Sequence, residues 1–283
     1  MTIAVPRVDA HHHVWRLDRG DYGWLTPDLA AIYRDFTLDD LVPLLDCAAI
    51  SATVLVQAAP TVAETEFLLA TAADSGGRIR GVVGWVDLAA PDAVATLTRL
   101  ARNPVLKAIR PMLQDLPDPA WILHADVERA LSELPRLGLR FDALVTPAQL
   151  PALLRMLERH PDLAVVIDHG AKPPIAAGNW LPWADRIAAI ARHPHVHCKL
   201  SGLATEAAGD WTVEGLRPWV DHLLACFGPA RLLWGSDWPV VNLAGGYARW
   251  RAATDRLLET LAGEDRAAIL GGNAARFYGL GAT

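Results

Sequence analysis

The sequence predicts an α/β protein, a single-domain (β/α)8 or TIM barrel over residues 1–283, from three observations. Short apolar runs alternate with Ala- and Leu-rich stretches, the pattern of parallel strands joined by right-handed helical crossovers. Eight such units follow one another, the number that closes a barrel. No Ser- or Gly-rich linker and no internal repeat divides the 283 residues, a length that suits one barrel. A doubly wound open sheet is the competing arrangement, but no G-x-G-x-x-G or P-loop sequence accompanies it.

The strands are expected in RVDAHHHV (7–14), ATVLVQA (52–58), GVVGWVDL (81–88), LKAIRP (106–111), LRFDALV (139–145), AVVIDHG (164–170), HVHCKLSG (195–202) and RLLWGSDWP (231–239). Each is short and rich in Val, Leu or Ile. Helices are expected over 38–50, with Thr37 as cap, and over 61–76, where Thr61 and Glu64 have the spacing of a capping box. Further helices fit 91–102, 126–138, 147–161 and 183–194, and two more fit near 212–227 and 247–262.

Composition narrows the function. Hydrophobic residues make up 52% and charged residues 20%, enough for a large core. The net charge is −6, and no basic tract exceeds two residues, so a nucleic-acid footprint is missing and an anionic membrane is disfavoured. Cys47, Cys198 and Cys226 form no paired pattern and are expected as core thiols in a reducing compartment. The stretch MTIAVPRVDAHH lacks a leader's charged-then-apolar plan, and no apolar run is long enough to span a bilayer. A cytoplasmic protein is expected, monomer or homodimer, acting on a small molecule.

Catalytic groups in a barrel sit at the C-terminal ends of strands. There the sequence collects His11 and His13, Lys107 and Arg110, Asp142, Asp168, His169 and Lys172, Lys199 and Ser201, then Asp237 and Trp238. Few apolar strands gather so many ionisable groups for packing alone. The two-residue strand period puts Asp9, His11, His13 and Trp15 on one side and His12 on the other. Two converging imidazoles can hold a divalent metal or hydrogen-bond a substrate oxygen. Asp237, ionised at neutral pH, can serve as general base toward water if the electrophile is polarised.

VDAHHHVW, LKAIRP, VIDHGAKP, KLSGL and LLWGSDWP, in this order, resemble the amidohydrolase superfamily, and RGDYGWL (19–25) narrows the resemblance to its sugar-acid lactonase branch, related to pyrone-dicarboxylate lactonase. The resemblance spans about residues 7–280 and implies a (β/α)8 barrel. It implies that His11, His13 and His169 polarise a lactone carbonyl, that Asp237 activates the water, and that Arg110 and Lys172 contact the substrate. The bridging lysine and fifth-strand histidine of two-metal members are absent: the fifth strand offers Asp142, and Lys107 has the wrong parity beside Arg110. The resemblance leaves room for one divalent ion, such as Zn²⁺ on His11, His13, His169 and Asp237, and none is expected to be obligatory.

Eleven tryptophans are many for this length, and Trp15, Trp24, Trp85, Trp180 and Trp238 fall near strand ends. Trp15, Trp24 and Trp238 are expected to stack on a sugar ring. A pyrone dicarboxylate would want more pocket arginines than Arg110. A metal-dependent aromatic-acid decarboxylase shares the His-x-His start and final aspartate, and is the competing activity.

Overall fold

The computed structural model describes residues 6–281. Residues 1–5, part of the stretch read for a leader, and residues 282–283 lie outside the described residues. All eight expected strands form, seven within their runs and β3 displaced toward the N-terminus of its own: β1 Val8–His12, β2 Ala52–Val56, β3 Ile79–Gly84, β4 Leu106–Ile109, β5 Arg140–Ala143, β6 Val165–Ile167, β7 Val196–Leu200 and β8 Leu232–Trp234. They pair in parallel in sequence order. The loop after β8 closes the ring onto β1, with Asp237 N donating to His11 O at 2.8 Å and His13 N to Trp238 O at 2.7 Å. β2, β4, β6 and β7 stop directly before the polar residues Gln57, Arg110, Asp168 and Ser201 of the barrel mouth.

Helices α1 Leu38–Cys47, α2 Val62–Ala73, α3 Ala93–Leu100, α4 Ala125–Glu133, α5 Leu150–Arg159, α6 Trp183–Ala191, α7 Val213–Phe227 and α8 Gly246–Leu257 form the outer layer. Thr37 N donates to Asp40 Oδ2 at 2.9 Å at the start of α1. At α2 the capping box is half made. Thr61 Oγ1 accepts from Glu64 N at 3.0 Å, but the Glu64 carboxylate turns to the backbone N–H groups of Ala58 and Ala59. It thereby anchors the loop after β2. Two short helices, α9 Gly263–Ala267 and α10 Asn273–Tyr278, were not expected, being too short to carry a periodic signal.

Helix α10 closes the bottom of the barrel. Val8, Ala10, Val54, Val56, Val83, Ala108, Val166 and Leu233 fill the lumen, and Ala274, Phe277, Tyr278 and Leu280 join them from below. The small side chains Ala10 and Ala108 leave room for the Tyr278 ring. Outside the strands, a second core packs against the helices. Of the cysteines, Cys198 is buried and Cys226 half-buried, but Cys47 is exposed, so it is not the core thiol expected. No helix among the described residues is long and apolar enough to cross a membrane.

One irregularity sets the site. The β1–β2 register places Asp9 opposite Thr53 and His12 opposite Leu55, so β1 carries one extra residue, a β-bulge. Ala10 and His11 therefore both face inward, and the parity expected for Asp9 fails. Asp9 faces the helix layer instead, accepting from Ser236 N at 2.8 Å and sitting beside Tyr247 of α8. His12 points outward as expected, with Nε2 at 2.9 Å from Thr53 Oγ1.

The seam between β8 and β1 requires glycine. A Cβ on Gly235 would lie 2.6 Å from His11 Cβ and 3.0 Å from His11 N. Gly235→Ala should destabilise the fold by roughly 2 kcal/mol, as overpacking does, lowering Tm by about 4–8 °C. A calorimetric scan of the variant checks this, and an unchanged Tm would mean that the seam has slack.

Burial, with neighbouring His13 second, pulls the His12 pKa down to about 3. The unfolded chain takes up that proton near pH 6.5 while the folded chain refuses it. Stability from His12 is thus fully present above that pH and is lost as pH falls toward 3. Urea titrations between pH 6.5 and 4 should show a shallower loss for His12→Gln, by up to about 1.4 kcal/mol per pH unit. An equal slope would place the acid sensitivity in other groups.

Candidate active site

Four side chains converge at the C-terminal mouth. Asp237 Oδ1 lies 3.7 Å from His11 Nε2, 3.4 Å from His13 Nε2 and 3.9 Å from His169 Nε2. His11 and His13 come from β1, His169 from the turn after β6 and Asp237 from the loop after β8. Both His169 and Asp237 hold positive φ, 55° and 58°, which non-glycine residues rarely adopt. Glycine makes room for one of them: a Cβ on Gly202 would meet the His169 ring at 2.4 Å.

The rings are oriented from behind. His13 Nδ1 bonds Val56 O at 2.8 Å, and because a carbonyl only accepts, the proton sits on Nδ1. His169 Nδ1 meets Ser201 Oγ at 2.9 Å, leaving Nε2 toward Asp237. Burial lowers the pKa of His169 to about 4 and that of His11 well below its ordinary value, Lys199 adding to the effect on His11. Both rings are therefore neutral at pH 7. Burial alone would raise the Asp237 carboxyl, but His169, His13 and His11 outweigh it and hold it below the usual carboxylate range.

Beneath this cluster lies a stack of buried charge that the sequence did not organise. Lys199 Nζ lies 2.6 Å from Asp142 Oδ2, 2.9 Å from Asp168 Oδ1 and 3.1 Å from His11 Nδ1. Tyr278 of α10 donates to Asp142 Oδ2 at 2.7 Å. Asp168 is drawn well below the carboxylate range: burial opposes this, but Lys199, His11 and Arg110 prevail. Asp142 moves up, through burial and the nearby Asp168, although Lys199 opposes the shift. The parity of Asp142 and Lys199 in apolar strands was a signal for this stack; Tyr278 carried none.

Arg110 stands on the cavity wall, yet most of its donors are used. Nε and Nη2 donate to Gln57 Oε1 at 3.0 and 2.6 Å, Nη2 also reaches Gln57 O, and Nη1 donates to Asp168 Oδ2 at 3.1 Å. Gln57, the polar residue ending an apolar strand run, is a site residue that sequence reasoning missed. Lys172 lines the same cavity and pairs with Glu206 at 3.5 Å.

The cavity holds about 160 Å³ and is walled by His13, His169, Asp237, Arg110, Lys172 and Trp24, among others. His11, fully buried, stands behind that wall. Of the three tryptophans expected to stack on a sugar, only Trp24 reaches the cavity, its Nε1 fixed to Ala58 O at 2.7 Å. Trp15 and Trp238 are packing residues, a correction to that expectation. Both pack edge-on against Phe36, at 5.7 and 5.2 Å between ring centroids, and both are at most 2% exposed. Trp85 lines a neighbouring cavity with Trp121, and Trp180 lies on Trp183 and Trp219. Lys107 bonds Gly279 O at the opposite end of the barrel, away from the site, a correction to its expected place among the groups at the C-terminal strand ends.

A metal ion fits the donor set. The ligand atoms of His11, His169 and Asp237 all lie within 4.8 Å of one another. His13 Nε2, which carries no proton, lies 3.4 Å from Asp237 Oδ1, and a cation would reconcile two such acceptors. Imidazole nitrogen and carboxylate oxygen are zinc ligands.

The whole chain is similar to known proteins. An L-fucono-1,5-lactonase of Burkholderia ambifaria is 46% identical over 276 residues, covering 96% of this chain and 95% of the relative. An L-fucono-1,5-lactonase of Burkholderia multivorans is 38% identical, covering 97% and 96%. A crystal structure of an amidohydrolase from Burkholderia multivorans with bound zinc superposes with a TM-score of 0.92 at 37% identity, covering 98% of this chain and 100% of that one. The family model described as amidohydrolase matches residues 8–280, and the chain belongs to that family.

Proposed function

We propose that this protein is a hydrolase that opens the ring of a sugar-acid lactone, of the L-fucono-1,5-lactone type. The observation that carries the reading is Asp237. It is an ionised carboxylate on the wall of a small cavity, flanked by two imidazoles, in a chain 46% identical to an L-fucono-1,5-lactonase.

The lactone carbonyl oxygen lies against His169; His13 Nε2, which carries no proton, cannot donate to it and flanks Asp237 instead. Asp237 takes a proton from water as the water oxygen bonds to the carbonyl carbon. Negative charge then gathers on the former carbonyl oxygen. His169 turns Nε2 toward that oxygen and donates to it in the tautomer whose Nδ1 accepts from the Ser201 hydroxyl, and the Lys172 ammonium and Arg110 guanidinium line the same wall. The carbon–ring-oxygen bond breaks, and the leaving alkoxide takes the proton now on Asp237. The open hydroxy acid departs and Asp237 is again a carboxylate. His11 orients Asp237 and His13 from behind. The substrate ring stacks on Trp24.

His11, His13, His169 and Asp237 would hold a divalent ion, which supplies Lewis-acid polarisation of a carbonyl when bound. The steps above need none, and we infer that no metal is obligatory.

Acid release from L-fucono-1,5-lactone, followed with a pH indicator with and without chelator, tests the reading. Turnover should persist after chelation. Asp237→Asn should lose about 10²–10⁴-fold in kcat while keeping its circular dichroism and melting curve. Near-normal turnover in that variant would sink the role of Asp237. Loss of acid release on chelation, restored by zinc, would overturn the inference that no metal is obligatory, and no acid release from any sugar-acid lactone would favour the metal-dependent decarboxylase.

A further inference from the structure

We propose that Lys199 is a positioning residue that fixes the tautomer of His11, and by doing so weakens divalent-metal binding at the histidine–aspartate cluster. The argument starts from which atoms can only give and which can only accept. Lys199 pairs with two buried carboxylates and so carries an ammonium, a donor without lone pairs. Its third partner is His11 Nδ1 at 3.1 Å. That nitrogen must accept, so the His11 proton sits on Nε2. At the far end, Val56 O only accepts, so His13 carries its proton on Nδ1 and a lone pair on Nε2. The two Nε2 atoms are 3.2 Å apart. His11 Nε2–H thus points at the His13 lone pair.

The result is a one-way chain of donors, Lys199 to His11 to His13 to Val56 O. Both ends are chemically unambiguous, so the polarity of the middle is determined. In this arrangement neither His11 Nε2 nor His13 Nε2 has a free lone pair, and two of the four candidate ligands are occupied. Metal-bound histidines ordinarily donate their other N–H to a carboxylate or carbonyl. Asp168 Oδ1, 3.5 Å from His11 Nδ1, stands where it could accept such a bond. Lys199 lies between that arrangement and the one described, and its positive charge further opposes a cation.

The inference rests on the proposed function only for the identity of the reactive cluster, and its readouts do not involve turnover. Zn²⁺ alone, in competition with a fluorescent chelator, measures affinity for the wild type, Lys199→Met and the double variant Lys199→Met/Asp142→Asn. The double variant removes a cation and the carboxylate it faces, and an amide oxygen can still accept from Tyr278. Asp168 keeps Arg110. Zinc should bind at least about 10-fold more tightly in either variant, the scale on which outer partners tune metal sites. Nitrogen-15 spectra of chelated, histidine-labelled wild type, assigned with His11→Gln, should place the His11 proton on Nε2. Unchanged or weaker zinc binding in a variant that melts cooperatively overturns the proposal, and so does a wild-type His11 proton on Nδ1. If neither variant folds, the wild-type spectrum decides.

Discussion

A buried ammonium with three partners holds the centre of this barrel together. Lys199 is fully buried, as are Asp142, Asp168 and His11, in a lumen otherwise filled with valine, alanine and leucine. Charge survives in such a place only when paired and hydrogen-bonded. Lys199 and Arg110 balance Asp142 and Asp168 in number, and each is held by at least two partners. Tyr278 fits the same constraint. A phenylalanine could plug the lumen floor equally well, but only the phenol gives Asp142 a second donor. That compensation leaves Asp237 as the carboxylate at the mouth with imidazoles, not lysine or arginine, for close neighbours. Its charge is therefore not cancelled by a direct ion pair and stays available to water.

The same economy explains the strained backbone. His169 and Asp237 both hold the left-handed region, where a non-glycine residue costs of order 1–3 kcal/mol. The surrounding packing pins each of them. Gly202 lets the His169 ring close on Ser201, and Gly235 lets the loop after β8 reach β1, where Asp237 N bonds His11 O. A single loop thus closes the barrel and presents Asp237. The bulge in β1 completes the arrangement by turning His11 inward beside Ala10, so that consecutive residues serve the site and the lumen.

These features separate what the sequence could disclose from what it could not. The strands were legible because fully buried parallel strands are nearly continuous apolar runs. His11, His13, His169 and Asp237 were legible because ionisable groups at the ends of such runs need a reason. His12 was correctly turned outward, yet Asp9 was not, because parity counting assumes an unbroken ladder and one inserted residue reverses it upstream. Trp15 and Trp238 misled because position near a strand end does not say whether a ring faces the cavity or the loop that covers it. Lys199 and Asp142 were visible as residues but not as partners, since their meeting depends on three strands and the C-terminal helix. That helix, α10, was too short to announce itself.

The charge on the cavity wall bears on which substrate the proposed lactonase reading allows. Lys172 and Arg110 face Asp237 and Asp115 across about 160 Å³. Arg110 is not a free anion receptor: its Nε, Nη1 and Nη2 already donate to Gln57 and Asp168. Lys172 is shared with Glu206. A substrate with two carboxylates would need both cations, drawing Arg110 from buried Gln57 and Asp168 and Lys172 from half-buried Glu206. A neutral polyhydroxylated ring asks for neither. It can exchange hydrogen bonds with groups that remain paired, and it offers an apolar face to Trp24. The pairing that stabilises the lumen therefore also selects against dianionic substrates.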